Sequence, residues 1–224
     1  MRVCLFDIDG TLIHSGGAGK AAMLGALADE FGIGLGCDGV PFSGRTDRSI
    51  GRDIFRLHGI PDTEDSWQRF RAAYLSHLPP CLASHPGRVL PGIASLVDAL
   101  NGRGSIALGL LTGNLREGAR LKLGHYNLWH HFAFGGYGDF HFDRNDVARE
   151  AMQALERHLT PCPRPDEVWV IGDTPLDVCC ARAVGARVAA VSTGWHSREE
   201  LAATRPDILL ADFSDPEPLL RLCG

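Results

Sequence analysis

The chain has 224 residues, with 22 basic and 27 acidic side chains, a formal net charge of −5 and 45% hydrophobic residues. This length suits one large domain, or one domain with a sizeable insertion, and the ordinary composition excludes disordered and fibrous proteins. The slight acidity argues against a protein that coats nucleic acid or anionic membranes. The seven cysteines show no CxxC spacing, and no apolar run is long enough for a signal peptide or a membrane span. We therefore expect a cytoplasmic protein.

Short apolar runs alternate with helical patterns along most of the chain. Five runs lack the in/out alternation of half-exposed strands and are typical of strands covered on both faces. They lie at residues 3–6, 106–111, 168–171, 188–191 and 208–210. Helical patterns occupy residues 92–101, 115–126, 145–158, 175–184, 198–203 and 215–222. This alternation predicts an α/β fold built on a doubly wound, Rossmann-like parallel sheet.

The segment between the first two predicted strands breaks this alternation, because no run within it has the pattern of a strand. Three helical patterns take its place, over residues 19–31, 47–58 and 64–78. Met23, Leu27 and Phe31 recur at the spacing of one helix face. The Pro-Pro pair at 79–80 and the stretch 84–87 predict a linker back to the sheet. We therefore expect an α/β core of residues 1–14 and 86–224, with a helical cap domain of residues 15–85 inserted after the first strand.

Polar residues follow three of the predicted strands, at the point where each strand ends. They are Asp7 and Asp9, then Thr112, Gly113 and Asn114, then Asp173 and Asp177. Ligands of open parallel sheets bind at the carboxyl ends of the strands, so these residues are expected to share one rim. Clustered carboxylates repel one another unless a cation joins them. Oxygen-only ligands favour a hard ion, Mg²⁺ above all, and such a site beside glycine turns suits phosphate chemistry.

Each of these residues also has a purely structural interpretation. Asp7 and Asp9 can form turns, although two aspartates directly after an apolar strand are not easily explained in this way. Thr112 can cap a helix. Asp177 is the third residue of a predicted helix, where it either completes a capping box or orients the metal site. Asp173 precedes that cap and is better placed as a direct ligand.

The order of these motifs resembles the haloacid dehalogenase superfamily. The motifs read Asp-Ile-Asp-Gly-Thr-Leu at 7–12, Leu-Leu-Thr-Gly-Asn at 110–114 and Ile-Gly-Asp-Thr-Pro-Leu-Asp at 171–177. Within the superfamily the chain is similar to phosphoglycolate phosphatase-like phosphohydrolases that carry a helical cap after the first motif. The resemblance covers nearly the whole chain. The second aspartate favours phosphate esters. Haloacid dehalogenases generally lack this aspartate, because the halide that they release needs no proton.

The resemblance implies a role for each matching residue. Asp7 would be the nucleophile that forms an aspartyl phosphate, and Asp9 would act as general acid and then as general base. Mg²⁺ would be held by the Asp7 carboxylate, the Asp9 main-chain carbonyl and Asp173, with Asp177 supporting the site. The ion is needed because an anionic carboxylate has to approach an anionic phosphate.

The family also places a Lys or Arg before the helix that precedes the last motif. Arg144 fits this place and is the preferred candidate. Lys122, one of only two lysines, is the alternative, but it lies in the middle of a predicted helix where a surface lysine is expected. With Arg144 in that place, the predicted phosphate-binding residues are Asp7, Thr112, Gly113, Asn114 and Arg144.

Substrate choice is expected to come from the cap and from the loop that joins it to the core. His14, Lys20 and Arg45 are the polar candidates, with Arg48 as a further one. Arg45 stands in a turn that leads into a predicted helix, where a guanidinium either reaches a second anionic group such as a carboxylate or is simply a solvated loop arginine.

These features predict a phosphatase, monomeric or homodimeric, that acts on a small phosphorylated metabolite. A phosphomutase is an alternative, because β-phosphoglucomutase relatives share both aspartates and the cap position. A catalytically quiet phosphate-binding or regulatory protein is a second alternative, which the complete set of acidic residues disfavours. A receiver-type domain that only accepts phosphate is a third, and the large cap and Asp9 argue against it.

Overall fold

A six-stranded parallel sheet forms the centre of the computed structural model, which describes residues 1–34 and 36–223. In chain order the strands are β1 (Arg2–Phe6), β2 (Ile13–His14), β3 (Arg88–Val89), β4 (Ile106–Leu111), β5 (Phe134–Gly136), β6 (Val168–Gly172), β7 (Arg187–Val191) and β8 (Ile208–Leu210). The sheet has the order β5-β4-β1-β6-β7-β8, and β2 pairs with β3 in a separate antiparallel ribbon. The predicted parallel α/β sheet is confirmed, and β1 lies near its middle.

The helices fall into two groups. They are α1 (Ala18–Phe31), α2 (Asp47–His58), α3 (Glu64–Ser84), α4 (Ile93–Asn101), α5 (Arg116–His125), α6 (Arg144–His158), α7 (Pro175–Ala183), α8 (Arg198–Ala203) and α9 (Glu217–Cys223). The first three lie between β2 and β3, and the others alternate with the strands of the sheet. Among the described residues, no helix combines the length and the apolar character that crossing a membrane requires.

The strand β1, near the middle of the sheet, shows why the apolar runs in the sequence are continuous. Cys4 and Phe6 pack into an apolar cluster on one face of the sheet, and Val3 and Leu5 pack into a second cluster on the other face. All four side chains are fully buried. Successive side chains of a strand point to opposite faces, so a strand covered on both sides by helices needs an apolar residue at every position.

The helices α1, α2 and α3 enclose an apolar cluster of their own, and they form the predicted helical cap. The rings of Phe55 and Phe70 meet edge to face at 5.4 Å, an arrangement that aromatic quadrupoles favour. The cluster also includes Leu115, which immediately precedes α5 of the core. The cap is therefore packed directly against the turn that follows β4.

The Pro-Pro pair does not begin the linker, because α3 continues through Pro79 and Pro80 to Ser84; the second predicted stretch, at 84–87, does lead back to β3. Leu78 and Leu82, one turn apart, are both buried in the cap cluster and keep the helix in contact with it. Both prolines lie on the exposed side. There the backbone carbonyls that lose a proline N–H partner can bond to water, which reduces the cost of proline inside a helix.

The sequence pattern also missed β5, at the edge of the sheet. This strand has only three residues, and two of them are Gly135 and Gly136, which propensity alone assigns to turns. A Cβ at Gly136 would overlap the backbone carbonyl of Val147 on α6. Glycine is required there because the helix crosses the strand closely, a reason that appears only in the folded chain. The two-residue strands β2 and β3 likewise lie in the segment where no strand was expected.

Candidate active site

The carboxyl ends of β1, β4 and β6 meet at one edge of the sheet and bring the predicted motifs together. The strand order places β1 between β4 and β6, so the residues that follow these strands are neighbours. One carboxylate oxygen from each of Asp7, Asp173 and Asp177 lies within 4.8 Å of the others. All three side chains are buried. Such proximity of buried acids is costly unless positive charge compensates for it.

The turn after β1 lies in close contact with the turn after β6. Gly10 has a φ of 87° and a Cβ there would overlap the carboxylate of Asp173. Next to it, the Thr11 hydroxyl donates a hydrogen bond of 3.0 Å to Asp173 Oδ1. Thr11 is a site residue that the sequence argument did not single out, although it lies inside the Asp-Gly-Thr motif.

Arg144, the first residue of α6, lies in the middle of the acidic cluster. Its Nη2 is 3.0 Å from Asp7 Oδ1 and 2.5 Å from Asp177 Oδ1, and its side chain is 5% exposed. Burial raises the pKa of Asp7 to about 6, although Arg144 acts in the opposite direction. The structure thus places the predicted arginine directly beside the predicted nucleophile.

Lys122 is also in the site, and the expectation of a surface lysine is wrong. Its Nζ donates hydrogen bonds of 2.6 Å to Asp9 Oδ2 and 2.6 Å to Asn114 Oδ1, and only 4% of the residue is exposed. Burial opposes the charge of Asp9, but the ion pair and hydrogen bond from Lys122 outweigh it and lower the pKa of Asp9. The reason is the direction of α5, whose buried face carries Lys122 back toward the sheet edge.

Asp177 forms the capping box that its position suggested, and it also holds Arg144. Its Oδ2 accepts the N–H of Thr174 at 3.0 Å, and the Thr174 hydroxyl oxygen accepts the N–H of Asp177, so the capping box is present. The other carboxylate oxygen is held by Arg144. Because both oxygens already have partners, Asp177 is suited to orienting Arg144 rather than to ligating an ion itself.

Asp173 presents the free oxygen that a cation site needs. Within the described part of the chain, its Oδ2 is buried and has no hydrogen-bond partner. Burial, followed by the nearby charge of Asp7, raises the pKa of Asp173 well above its usual range. A Cβ at Gly10 or Gly194 would fill the space beside this oxygen. A hard divalent cation between Asp7 and Asp173 fits this arrangement, because it would supply the missing partner and cancel the repulsion.

The turn after β4 completes the rim. The Thr112 hydroxyl oxygen accepts hydrogen bonds from the Asn114 side-chain amide at 2.9 Å and from its backbone N–H at 3.3 Å. The same amide donates to Asp9 Oδ2 at 3.0 Å. Asn114 therefore connects the first and second motifs, and Lys122 fixes the orientation of its amide.

A cavity of about 560 Å³ separates this rim from the cap. The candidate substrate residues His14, Lys20 and Arg45 all line it. The Arg45 guanidinium, however, is paired with Asp53 at 2.7 Å and bonded to Ser49, with 27% of the side chain exposed, so it is held in place rather than freely solvated. Arg48 is not among the residues that line the cavity.

The cap is fastened to the rim by Asp47, which the sequence argument missed. Asp47 is the buried first residue of α2, and its Oδ2 accepts the N–H of Leu115 at 2.8 Å. Its own N–H donates to the carbonyl of Gly113 at 2.7 Å. Burial raises the pKa of Asp47 to about 6. In the sequence this residue follows the N-cap Thr46 and is indistinguishable from an ordinary first-turn acid.

Residues 4–182 match the family model described as haloacid dehalogenase-like hydrolase. The chain belongs to the haloacid dehalogenase-like hydrolase family. The resemblance seen in the motifs and the expectation of a hydrolytic enzyme are thereby confirmed. The chain is 30% identical over 226 aligned residues to a phosphoglycolate phosphatase of Synechococcus elongatus, with 96% of this chain and 95% of that one aligned.

Other relatives extend over similar lengths. A phosphoglycolate phosphatase of Rhodospirillum rubrum is 29% identical, with 95% of this chain and 88% of the relative aligned. Among solved structures, one named as a predicted phosphoglycolate phosphatase from Haemophilus somnus superposes with a TM-score of 0.74 at 18% identity, covering 98% of both chains. A hydrolase from Pseudomonas syringae has a TM-score of 0.72 at 22% identity, covering 99% of this chain and 98% of its own. These structural likenesses establish the capped α/β fold.

Proposed function

We propose that this hydrolase is a Mg²⁺-dependent phosphatase that cleaves a small phosphomonoester through an aspartyl phosphate on Asp7. The observation that supports this most strongly is the pairing at the rim. The two aspartates of the first motif each have a buried cation of their own, Arg144 for Asp7 and Lys122 for Asp9. This arrangement holds two neighbouring carboxylates in fixed and different environments, as two different chemical roles require.

In the first half-reaction, a carboxylate oxygen of Asp7 attacks phosphorus as the ester P–O bond breaks. Arg144 orients Asp7, and Asp177 in turn orients Arg144. Asp9, whose pKa Lys122 lowers, has to bind a proton first and then delivers it to the departing alkoxide. In the second half-reaction, Asp9 takes a proton from a water molecule that attacks phosphorus, and the bond to Asp7 breaks to release inorganic phosphate. Lys122 and Asn114 hold the Asp9 carboxylate in place for both steps.

Two further groups support the binding of a phosphoryl group. The Thr112 hydroxyl oxygen already accepts two N–H groups from Asn114, so its own hydrogen is available for a phosphoryl oxygen. Asp7 and Asp173, with the main-chain carbonyl of Asp9, would hold Mg²⁺. The bound ion supplies charge neutralisation between the carboxylate nucleophile and the anionic phosphate. The unpartnered oxygen of Asp173 is the feature that supports this ligand set.

The test is release of inorganic phosphate from a panel of phosphomonoesters, with Mg²⁺ and with EDTA, by the wild-type protein and by Asp7→Asn. Asn is nearly isosteric with Asp, so thermal unfolding should confirm that the variant folds. We expect the variant and EDTA each to reduce turnover by about 10³-fold or more. Phosphate release that persists in folded Asp7→Asn contradicts the nucleophile assignment. Isomerisation of a sugar phosphate without phosphate release would instead identify a mutase.

A further inference from the structure

Part of the cavity lining is apolar, and the proposed reaction makes no use of it. Side chains from all three cap helices contribute to it, together with one residue of the loop before α2 and one of the loop after β7. They are Met23, Phe42, Ile50, Tyr74 and Trp195. The three helical side chains are almost fully buried, so most of the apolar surface that a ligand can reach here belongs to Phe42 and Trp195. A cavity of about 560 Å³ lies within the range of about 300–1,000 Å³ that encloses ligands much larger than a two-carbon acid.

Four positive side chains line the cavity, and three of them lie in close ion pairs. The four are Lys20, Arg45, Lys122 and Arg144. Lys122 and Arg144 are held by the reaction-centre carboxylates, and Arg45 pairs with Asp53, which Arg56 also contacts. Lys20 is half exposed and lies 3.8 Å from Asp38. Among the described residues that line the cavity, none therefore offers a buried, uncommitted cation to a second anionic group of the substrate.

Trp195 provides a separate indication of what the cavity receives. Its side chain is 82% exposed, yet it lines the cavity and its ring centroid lies 6.3 Å from that of His14. It follows Gly194, which abuts the carboxylate of Asp173. A large exposed aromatic side chain beside a reaction centre gains the most when another apolar surface covers it.

Building on the proposed function, we propose that the alcohol released from the substrate carries an apolar, ring-sized group, and that the cap wall and Trp195 bind this group. A small carboxylate-bearing ester such as phosphoglycolate would leave the apolar wall unfilled and its own carboxylate without a buried cationic partner. A phosphomonoester of an aromatic alcohol would place its phosphate at the rim and its ring against Phe42 and Trp195.

Three phosphomonoesters test this inference: ethyl phosphate, 2-phenylethyl phosphate (called phenylethyl phosphate below) and phosphoglycolate. In each, the ester oxygen is attached to a CH₂ group, so differences in kcat/KM report mainly on binding of the rest of the alcohol. We expect kcat/KM for phenylethyl phosphate to exceed that of each other ester by about tenfold or more, from burial of the ring. Comparable or faster turnover of phosphoglycolate would overturn the inference and leave the phosphatase assignment intact. If none of the three is cleaved but another phosphomonoester of the panel is, the ring inference is overturned; failure of the folded protein to cleave any ester of the panel would overturn the proposed function instead.

A pair of variants tests the wall itself. Trp195→Ala removes an exposed ring and should not disturb folding. It is expected to lower the ratio of kcat/KM for phenylethyl over ethyl phosphate by about fivefold. Phe140→Ala is the matched control, because Phe140 is 83% exposed and does not line this cavity; it should leave the ratio unchanged. An unchanged ratio in Trp195→Ala would overturn the assignment of Trp195 to the substrate site.

Discussion

The two walls of the cavity differ in how they carry charge. The rim of the sheet concentrates buried ionised groups, with Asp7 and Asp9 each held by one cation and Asp173 left with an unpartnered oxygen. The cap side places apolar side chains beside Lys20 and Arg45, and Arg45 pairs with Asp53 of α2. The difference separates two tasks. The rim is organised for one reaction on a phosphoryl group, and the cap can vary its apolar surface without disturbing that reaction.

The largest effect on the stability and activity of the rim is expected from Arg144→Met. This change removes the partner of Asp7 and of Asp177 together and leaves buried carboxylates uncompensated. We expect a loss of about 3–5 kcal/mol in the free energy of unfolding and loss of measurable phosphatase activity. Urea denaturation and phosphate release measure the two effects. Arg149→Met, which removes an exposed arginine of the same helix, is the control and should change stability by less than about 0.5 kcal/mol.

Lys122→Met tests whether Lys122, the partner of Asp9, contributes to the rim as Arg144 does. Because Asp9 would lose its ion pair but has a side chain that is 37% exposed to water, we expect a drop of about 10²-fold or more in kcat and a loss of only about 1 kcal/mol in stability. The control is Lys20→Met, which removes the other lysine, half exposed at the cap side. If the two variants retained equal stability and activity, the ion pair between Lys122 and Asp9 would contribute nothing to the site.

Asp47→Asn tests the junction between the two walls through its pH dependence. The pKa of Asp47 is raised by burial to about 6, so the folded protein binds this proton more tightly than the unfolded chain does. This contribution to stability is fully present below the unfolded pKa of 3.8 and is lost as the pH rises through about 6.

An amide at position 47 cannot ionise and still accepts the Leu115 N–H. The stability of Asp47→Asn relative to the wild type should therefore increase between pH 4 and 7, by about 1–3 kcal/mol. Urea denaturation across this range measures the difference. Asp62→Asn, an exposed cap position, controls for loss of a negative charge. A difference that does not change with pH would contradict the raised pKa.

The smallest effect is expected from Arg45→Gln on the cap side. Because Asp53 and Ser49 already hold two nitrogens of the Arg45 guanidinium, we expect it to contribute little to binding of a substrate carboxylate. KM for phosphoglycolate should change by less than about twofold, with stability altered by less than about 1 kcal/mol. Steady-state kinetics measure KM, and ethyl phosphate, which has no carboxylate, is the comparison substrate. A tenfold rise in KM that is confined to phosphoglycolate would show that Arg45 does bind a carboxylate.

The fold and the location of the site were accessible from local sequence features. Each long strand is a continuous apolar run because helices cover both faces, and the residues after β1, β4 and β6 share an edge because parallel strands end on the same side. The capping box at Thr174 and Asp177 is likewise local and was predicted correctly. The strand β5 and the last turns of α3 were missed, because Gly135 and Gly136 serve a close helix contact and the packing of Leu82 outweighs two prolines.

What the sequence by itself determined is the identity and order of the acidic motifs, since the chain carries each motif as one short segment. Only the tertiary structure decided that Lys122 of α5 and Asp47 of the cap lie against the strand ends that carry these motifs. Lys122 lies 113 positions from Asp9, and Asp47 lies 68 positions from the N–H of Leu115 that it accepts. Neither pair has a local signature, because each is made by the packing of one helix against a separate element. Compensation of buried charge depends on that packing rather than on sequence spacing.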